Sequence, residues 1–209
     1  LTFFALFFMS SCGSFKPKYL NEKSESIPVI EGTLEKRFYL IGDAGAAETS
    51  DTNEALVIFE KFIEDKETSK DQLIYLGDNI YQKGLPKKDD KGRSDAENKI
   101  DAQLNSAKKF KGNTLFIPGN HDWYAKDGLK GLKRQEKYVE DSLDDDEAFQ
   151  PENGCPIEDI EINENTMVIA IDTEWYLVDW DKHPTMNDEC EIKDRSRFFE
   201  ELESLIKKN

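Results

Sequence analysis

Three short apolar runs in this chain each break at a glycine that is followed at once by a polar side chain. Arg37-Phe38-Tyr39-Leu40-Ile41 runs into Gly42-Asp43-Ala44-Gly45. Gln72-Leu73-Ile74-Tyr75-Leu76 runs into Gly77-Asp78-Asn79-Ile80-Tyr81. Thr114-Leu115-Phe116-Ile117 runs into Pro118-Gly119-Asn120-His121-Asp122. Apolar runs of this length, bounded by turn formers, read as buried strands. In open α/β folds such strands lie parallel and ligands gather where they end. Three clusters of Asp, Asn, His and Tyr are therefore expected to meet at one sheet edge.

The stretches between these runs carry helical spacing. Ala55, Leu56, Phe59, Phe62 and Ile63 recur at helical intervals, with Asp51 or Thr52 placed to cap them. Ile100, Leu104, Ala107 and Phe110 mark a second helix, ended by Gly112-Asn113. This β-α-β-α-β alternation predicts a layered α/β fold with a mainly parallel central sheet and right-handed crossovers. Further on, residues 129–143 read as a helix and 157–162 as a half-buried strand. Asn163-Glu164-Asn165 reads as a turn, and 167–171 as a buried strand ending in Asp172. Asp194 is placed to cap a last helix with Phe198, Phe199, Leu202, Leu205 and Ile206 on one face. A parallel sheet that stops at a crossover helix is unfinished, so the natural chain is expected to continue past Asn209.

The balance of 44 acidic against 28 basic residues leaves a net charge of -16. That speaks against a nucleic-acid groove or binding to an anionic surface by charge. Acidic runs such as Asp141 and residues 144–147 read as solvated face, with a Ca²⁺ site as the alternative. The apolar residues before Cys12 are too few to span a bilayer but suit the core of a signal peptide. Met9-Ser10-Ser11-Cys12 resembles a bacterial lipoprotein cleavage box, in which the cysteine is acylated; an ordinary signal peptide is the alternative. Residues 13–34 read as a flexible tether and 35–209 as the folded domain. The expected location is the bacterial cell envelope, by a lipid anchor. Export permits disulfides. Cys155 and Cys190, 35 positions apart, are either a bridge or two free thiols; a bridge would stabilise by roughly 3–4 kcal/mol in the chain-entropy model.

The chemistry of the three turns points to metal. A carboxylate shared by two ions makes a water between them acidic. Asp78, at a central strand end, is the candidate bridge, with Asp43 on one metal and the Asn120 side chain on the other. Tyr81 is placed to turn back as a phenolate, which favours a hard ion such as Fe³⁺. His121 is a candidate general acid or phosphate contact, and Asp122 a candidate to orient it.

G-D-x-G at 42–45, G-D-x-x-Y at 77–81 and G-N-H-D at 119–122 resemble the first three signature blocks of the calcineurin-like metallophosphoesterases. Gly45 stands where most of that superfamily has a histidine, and Tyr81 supplies an alternative ligand. That paired change resembles the purple acid phosphatase branch. The resemblance implies an αββα-type layered fold and two metal ions, iron with iron, zinc or manganese. It implies hydrolysis of a small phosphorylated substrate by a metal-bound hydroxide. It carries metal binding to Asp43, Asp78, Tyr81 and Asn120, and phosphate contact to His121. The later histidine blocks of the family are absent: His121 and His183 are the two histidines, and His183 reads as an exposed loop residue. A non-catalytic surface or assembly module that keeps the fold is therefore the alternative function. Trp123, Tyr124, Trp175, Tyr176 and Trp180 either wall a substrate pocket or pack; Lys87, Lys88 and Arg93 either steer phosphate or solvate a loop.

Overall fold

Strands β1 (Phe38–Ile41), β2 (Gln72–Leu76) and β3 (Asn113–Ile117) form a parallel sheet in the order β1-β2-β3. The computed structural model describes residues 32, 34–46 and 54–208. Cys12, most of the tether and the capping positions Asp51 and Thr52 lie outside the described residues. β2 is central, and its residues Leu73, Ile74 and Tyr75 are all buried, as a parallel strand covered on both faces requires. Helix α1 (Glu54–Ile63) makes the first crossover and α2 (Arg93–Lys109) the second. Tyr39 on β1 meets Phe59 of α1 and Phe110 at the end of α2 edge-on, at 5.9 and 5.7 Å. On the same side of the sheet Tyr75 stacks on Phe116 at 4.4 Å. The helical positions Leu56, Ile63, Ile100, Leu104 and Ala107 are buried against this layer, but Phe62 remains 58% exposed.

One extension of the sheet is not visible in the sequence. Phe149 bridges Phe116 in parallel, with Phe116 N donating to Ala148 O (2.7 Å) and Gln150 N to Phe116 O (2.8 Å). Ala148, Phe149 and Gln150 are almost completely buried, although they sit between an acidic run and a Pro-Glu-Asn-Gly turn. Three residues are too few to show any periodicity.

Helix α3 (Leu129–Leu143) follows β3. β4 (Ile157–Asn163) and β5 (Thr166–Ile171) then form a separate two-stranded antiparallel sheet. Its turn is held by Asn165 N donating to Asn163 Oδ1 at 2.9 Å. Short helix α4 (Thr173–Leu177) is capped by Asp172, and α5 (Arg195–Lys208) by Asp194 Oδ1, which accepts from Ser196 N (3.0 Å) and Arg197 N (3.1 Å). α5 buries Phe198 and Leu205, whereas Phe199 and Ile206 stay exposed. Cys155 and Cys190 are joined, with Cα atoms 5.4 Å apart, tying the start of β4 to the segment before α5. No helix among the described residues is long and apolar enough to cross a membrane.

Candidate metal centre

The parallel register brings the strand ends level: Ile41 pairs with Tyr75, and Leu76 with Ile117. The turns beyond them interlock through the backbone. Asp43 N donates to Gly77 O (3.3 Å), Gly45 N to Asp78 O (3.0 Å) and Tyr81 N to Gly45 O (3.1 Å). Gly45 makes this possible, because a Cβ there would lie 2.3 Å from the carbonyl carbon of Asn79. A Cβ on Gly119 would likewise come within 2.3 Å of Asp78 Oδ1. Asp43 and Asp78 both hold left-handed backbone, with φ of 58° and 53°. Such conformations cost about 1–3 kcal/mol each and concentrate at functional sites; Asp tolerates them better than most residues.

This folding brings three oxygens together. Tyr81 Oη lies 2.5 Å from Asp43 Oδ1 and 2.7 Å from Asp78 Oδ2. One phenolic proton cannot fully satisfy two carboxylates, and a cation in its place would hold all three oxygens. The neighbouring carboxylates, Asp43 first and Asp78 next, push the Tyr81 phenol well above its ordinary value. A bound cation would displace that proton. The other oxygen of Asp78 accepts from His121 N at 3.1 Å.

Asn120 stands in the one-turn 3₁₀ segment Asn120–Tyr124, its Nδ2 donating to Tyr124 Oη at 2.9 Å. The His121 ring sits 4.3 Å from the Tyr81 ring and 5.2 Å from that of Tyr124. Its Nδ1 is 2.9 Å from Gln82 O. A carbonyl only accepts, so Nδ1 carries the proton and Nε2 is the atom left to exchange one. Among the described residues no three His, Cys, Asp or Glu side chains converge on a metal position. The oxygens that meet are two carboxylates and a phenol, which suit hard ions, while the Asn120 amide is engaged by Tyr124.

Several expectations need correction. Asp122 does not orient His121. Its carboxylate is completely buried and accepts five hydrogen bonds, from Gly119 N (2.8 Å), Asn79 N and Nδ2 (both 3.2 Å), Ile80 N (3.1 Å) and Gln135 Nε2 (2.8 Å). It pins the β2 and β3 turns together. Burial pushes its carboxyl up to about 6, against the pull of these donors. Arg93 steers no phosphate: it is buried, its Nε on Glu97 (2.8 Å) and its Nη1 on Pro86 O (2.6 Å). Lys87 lies 3.8 Å from Asp127. Of the two alternatives for Trp123 and Trp175, packing holds: both are core residues, the first donating to Asp172 Oδ2 at 2.7 Å and the second to Asn187 Oδ1 at 2.9 Å. His183 is half-buried, its ring 6.1 Å from that of Trp123.

The supports of the β2 turn went unnoticed in the sequence. Gln103 Nε2 donates to Asn79 O (2.7 Å), and Lys99 Nζ to Tyr81 O (2.8 Å). Both come from α2, one helical turn apart, and they hold the carbonyls on either side of Ile80. Asn79 Nδ2 in turn donates to Ile117 O at 2.9 Å, tying β2 to β3. The available signal was a polar Gln103 inside the buried stripe of Ile100, Leu104 and Ala107.

A layered α/β fold with hard oxygen donors meeting at parallel strand ends is compatible with metal-dependent hydrolysis. The sequence model of the calcineurin-like phosphoesterase family matches residues 36–208. The chain belongs to that family, whose members are in general metal-dependent phosphoesterases and usually bind two metal ions. No curated protein and no solved structure matches the chain.

Proposed function

We propose that the protein is a phosphoesterase of the purple acid phosphatase type, exported and anchored by a lipid on Cys12. The observation that carries the reading is the approach of Tyr81 Oη to both Asp43 and Asp78. Asp43, Asp78, Tyr81 and Asn120 would hold two metal ions, iron with iron, zinc or manganese. When bound, these ions supply Lewis acidity toward the phosphate oxygens and lower the pKa of a water. His121 then acts on the leaving oxygen. Its Nδ1–H is held by Gln82 O, so the doubly protonated ring would give its Nε2 proton to the leaving oxygen and be left as the neutral Nδ1–H tautomer. The Tyr81 and Tyr124 rings pack against that imidazole, at 4.3 and 5.2 Å, and restrict its orientation.

The cystine between Cys155 and Cys190 supports export, because such bridges persist in oxidising compartments. Labelling with palmitate tests the anchor: incorporation should vanish in a Cys12→Ser variant. For the chemistry, the purified protein is loaded with iron and zinc, its metal content measured, and phosphate release followed with p-nitrophenyl phosphate. Asp78→Ala should lose metal and turnover together; retained turnover would overturn the assignment.

A second reading has one observation in its favour. His121 is the one imidazole beside the three turns among the described residues. A non-catalytic module that keeps the family fold would bind metal weakly and release no phosphate in the same assay.

A further inference from the structure

The molecule carries a cavity that the metal centre does not use. It has a volume of about 380 Å³ and is lined in part by Tyr81 and Gln82. That size lies within the range of small-molecule sites. Tyr81 is shared: its hydroxyl meets Asp43 and Asp78, while the residue also lines the cavity. Gln82 is shared as well, since its carbonyl accepts from His121 and it forms part of the cavity wall.

The charges in the wall are unevenly matched. Two of its carboxylates are already countered: Asp95 by Lys99 at 2.7 Å, and Asp127 by Arg134 at 3.0 Å. Lys83, Lys91 and Lys126 also line the cavity, and among the described residues no ion pair or hydrogen bond engages any of the three side chains. Asp90 is the remaining carboxylate, so the uncountered lysines exceed it by two (three against one). The start of α2 faces the same space at Gly92, Asp95 and Ala96, and its N-cap is a glycine with no side-chain cap. On a chain of net charge -16, three unpaired lysines in one cavity wall run against the background. In the reading above the transferred phosphate sits at Asp43, Asp78, Asn120 and His121, and Tyr81 and Gln82 join that centre to the cavity wall.

We propose that this cavity is a leaving-group subsite for a second phosphate, so that the preferred substrates are small molecules phosphorylated at two positions. This rests on the phosphoesterase reading above. Lys83, Lys91 and Lys126 receive the second phosphate as separate point charges, which tolerates different spacings between the two phosphates.

The test compares the wild type with K83Q/K91Q/K126Q, three substitutions at exposed positions that keep side-chain bulk. Metal-loaded protein is assayed with fructose 1,6-bisphosphate and with p-nitrophenyl phosphate, whose leaving group has no phosphate. The variant should raise KM for the bisphosphate at least tenfold and leave kcat/KM for p-nitrophenyl phosphate within twofold. Equal loss on both substrates, or no change on either, overturns the subsite. In parallel, calorimetry measures inorganic pyrophosphate binding to metal-free protein, expected to weaken at least tenfold in the variant and with rising salt. If the wild type hydrolyses neither ester, the phosphoesterase reading fails, and the calorimetry alone decides on the subsite. Unchanged pyrophosphate affinity in the variant would sink it.

Discussion

Asp122 Oδ1 accepts a 2.8 Å hydrogen bond from Gln135 Nε2, and neither side chain is exposed to solvent. The pair fastens α3 to the loop that carries Asn120 and His121. The same carboxylate gathers the amides of Gly119, Asn79 and Ile80, so one buried acid fixes the positions of two turns that carry candidate ligands.

Asp122→Asn tests that role. The amide places a donor among five donors, and at least one of them loses its acceptor. A buried unsatisfied group of this kind costs about 1–3 kcal/mol, and more where a charge is involved. The midpoint of urea unfolding should fall accordingly, with metal uptake at Asn120 weakened at the same time. An unchanged midpoint would show that the carboxylate is dispensable to the turns.

Tyr81→Phe removes the phenol and keeps the ring that lies beside His121. Tyr81 is half-exposed, so the fold should stay within about 0.5 kcal/mol of wild type. Metal affinity, read by competition with a chelator, should drop at least tenfold. With ferric iron bound, the visible band of a phenolate-to-metal transition should also disappear. Persistence of that band in the variant would assign it to another group.

Stability should fall as pH rises through neutrality. Burial pushes the carboxyls of Asp172 and Glu136 up to about 7 in the folded chain. Between their ordinary values and about 7 the native state therefore binds more protons than the unfolded chain. Stability then declines with pH across that window and is fully present below it. Glu136 Oε1 accepts from Asn153 N at 2.8 Å, and its Oε2 is buried without a partner. Glu136→Gln keeps the acceptor and removes the charge. It should stabilise by on the order of 2 kcal/mol at pH 8 and by little at pH 5. Thermal unfolding at the two pH values checks both the slope and its flattening in the variant.

Gly45→Ala and Gly45→His should both fail to fold normally. A Cβ at this position meets backbone atoms of Asn79 and Asp78 at 2.3 to 2.5 Å, and neither can retreat without opening the β2 turn. The cost expected from overpacking is about 1–3 kcal/mol or more. Installing a histidine in the first turn would then lower metal uptake instead of adding a ligand. A stable Gly45→His protein with tighter metal binding would refute this account.

The strands and helices were legible because each has its own period. β2 shows an unbroken apolar run, and α2 places Ile100, Leu104 and Ala107 at helical spacing. The glycine turns were legible as well, since Gly42, Gly77 and Gly119 end strands with polar groups attached. The sequence by itself therefore determined the alternation of elements and the three turns that carry the candidate ligands, through local periodicity and turn chemistry. Tertiary structure decided the rest. Asp122 and His121 are neighbours in the chain, yet one turns into the core and the other out beside Tyr81. That split depends on where α3 delivers Gln135, 13 positions away. The same holds for Trp175, which the sequence leaves open between pocket wall and core and which is fully buried, and for Phe149, which extends the sheet by one bridge. Which side of a turn is buried is set by the elements packed against it, and those contacts span sequence distances that no local pattern records.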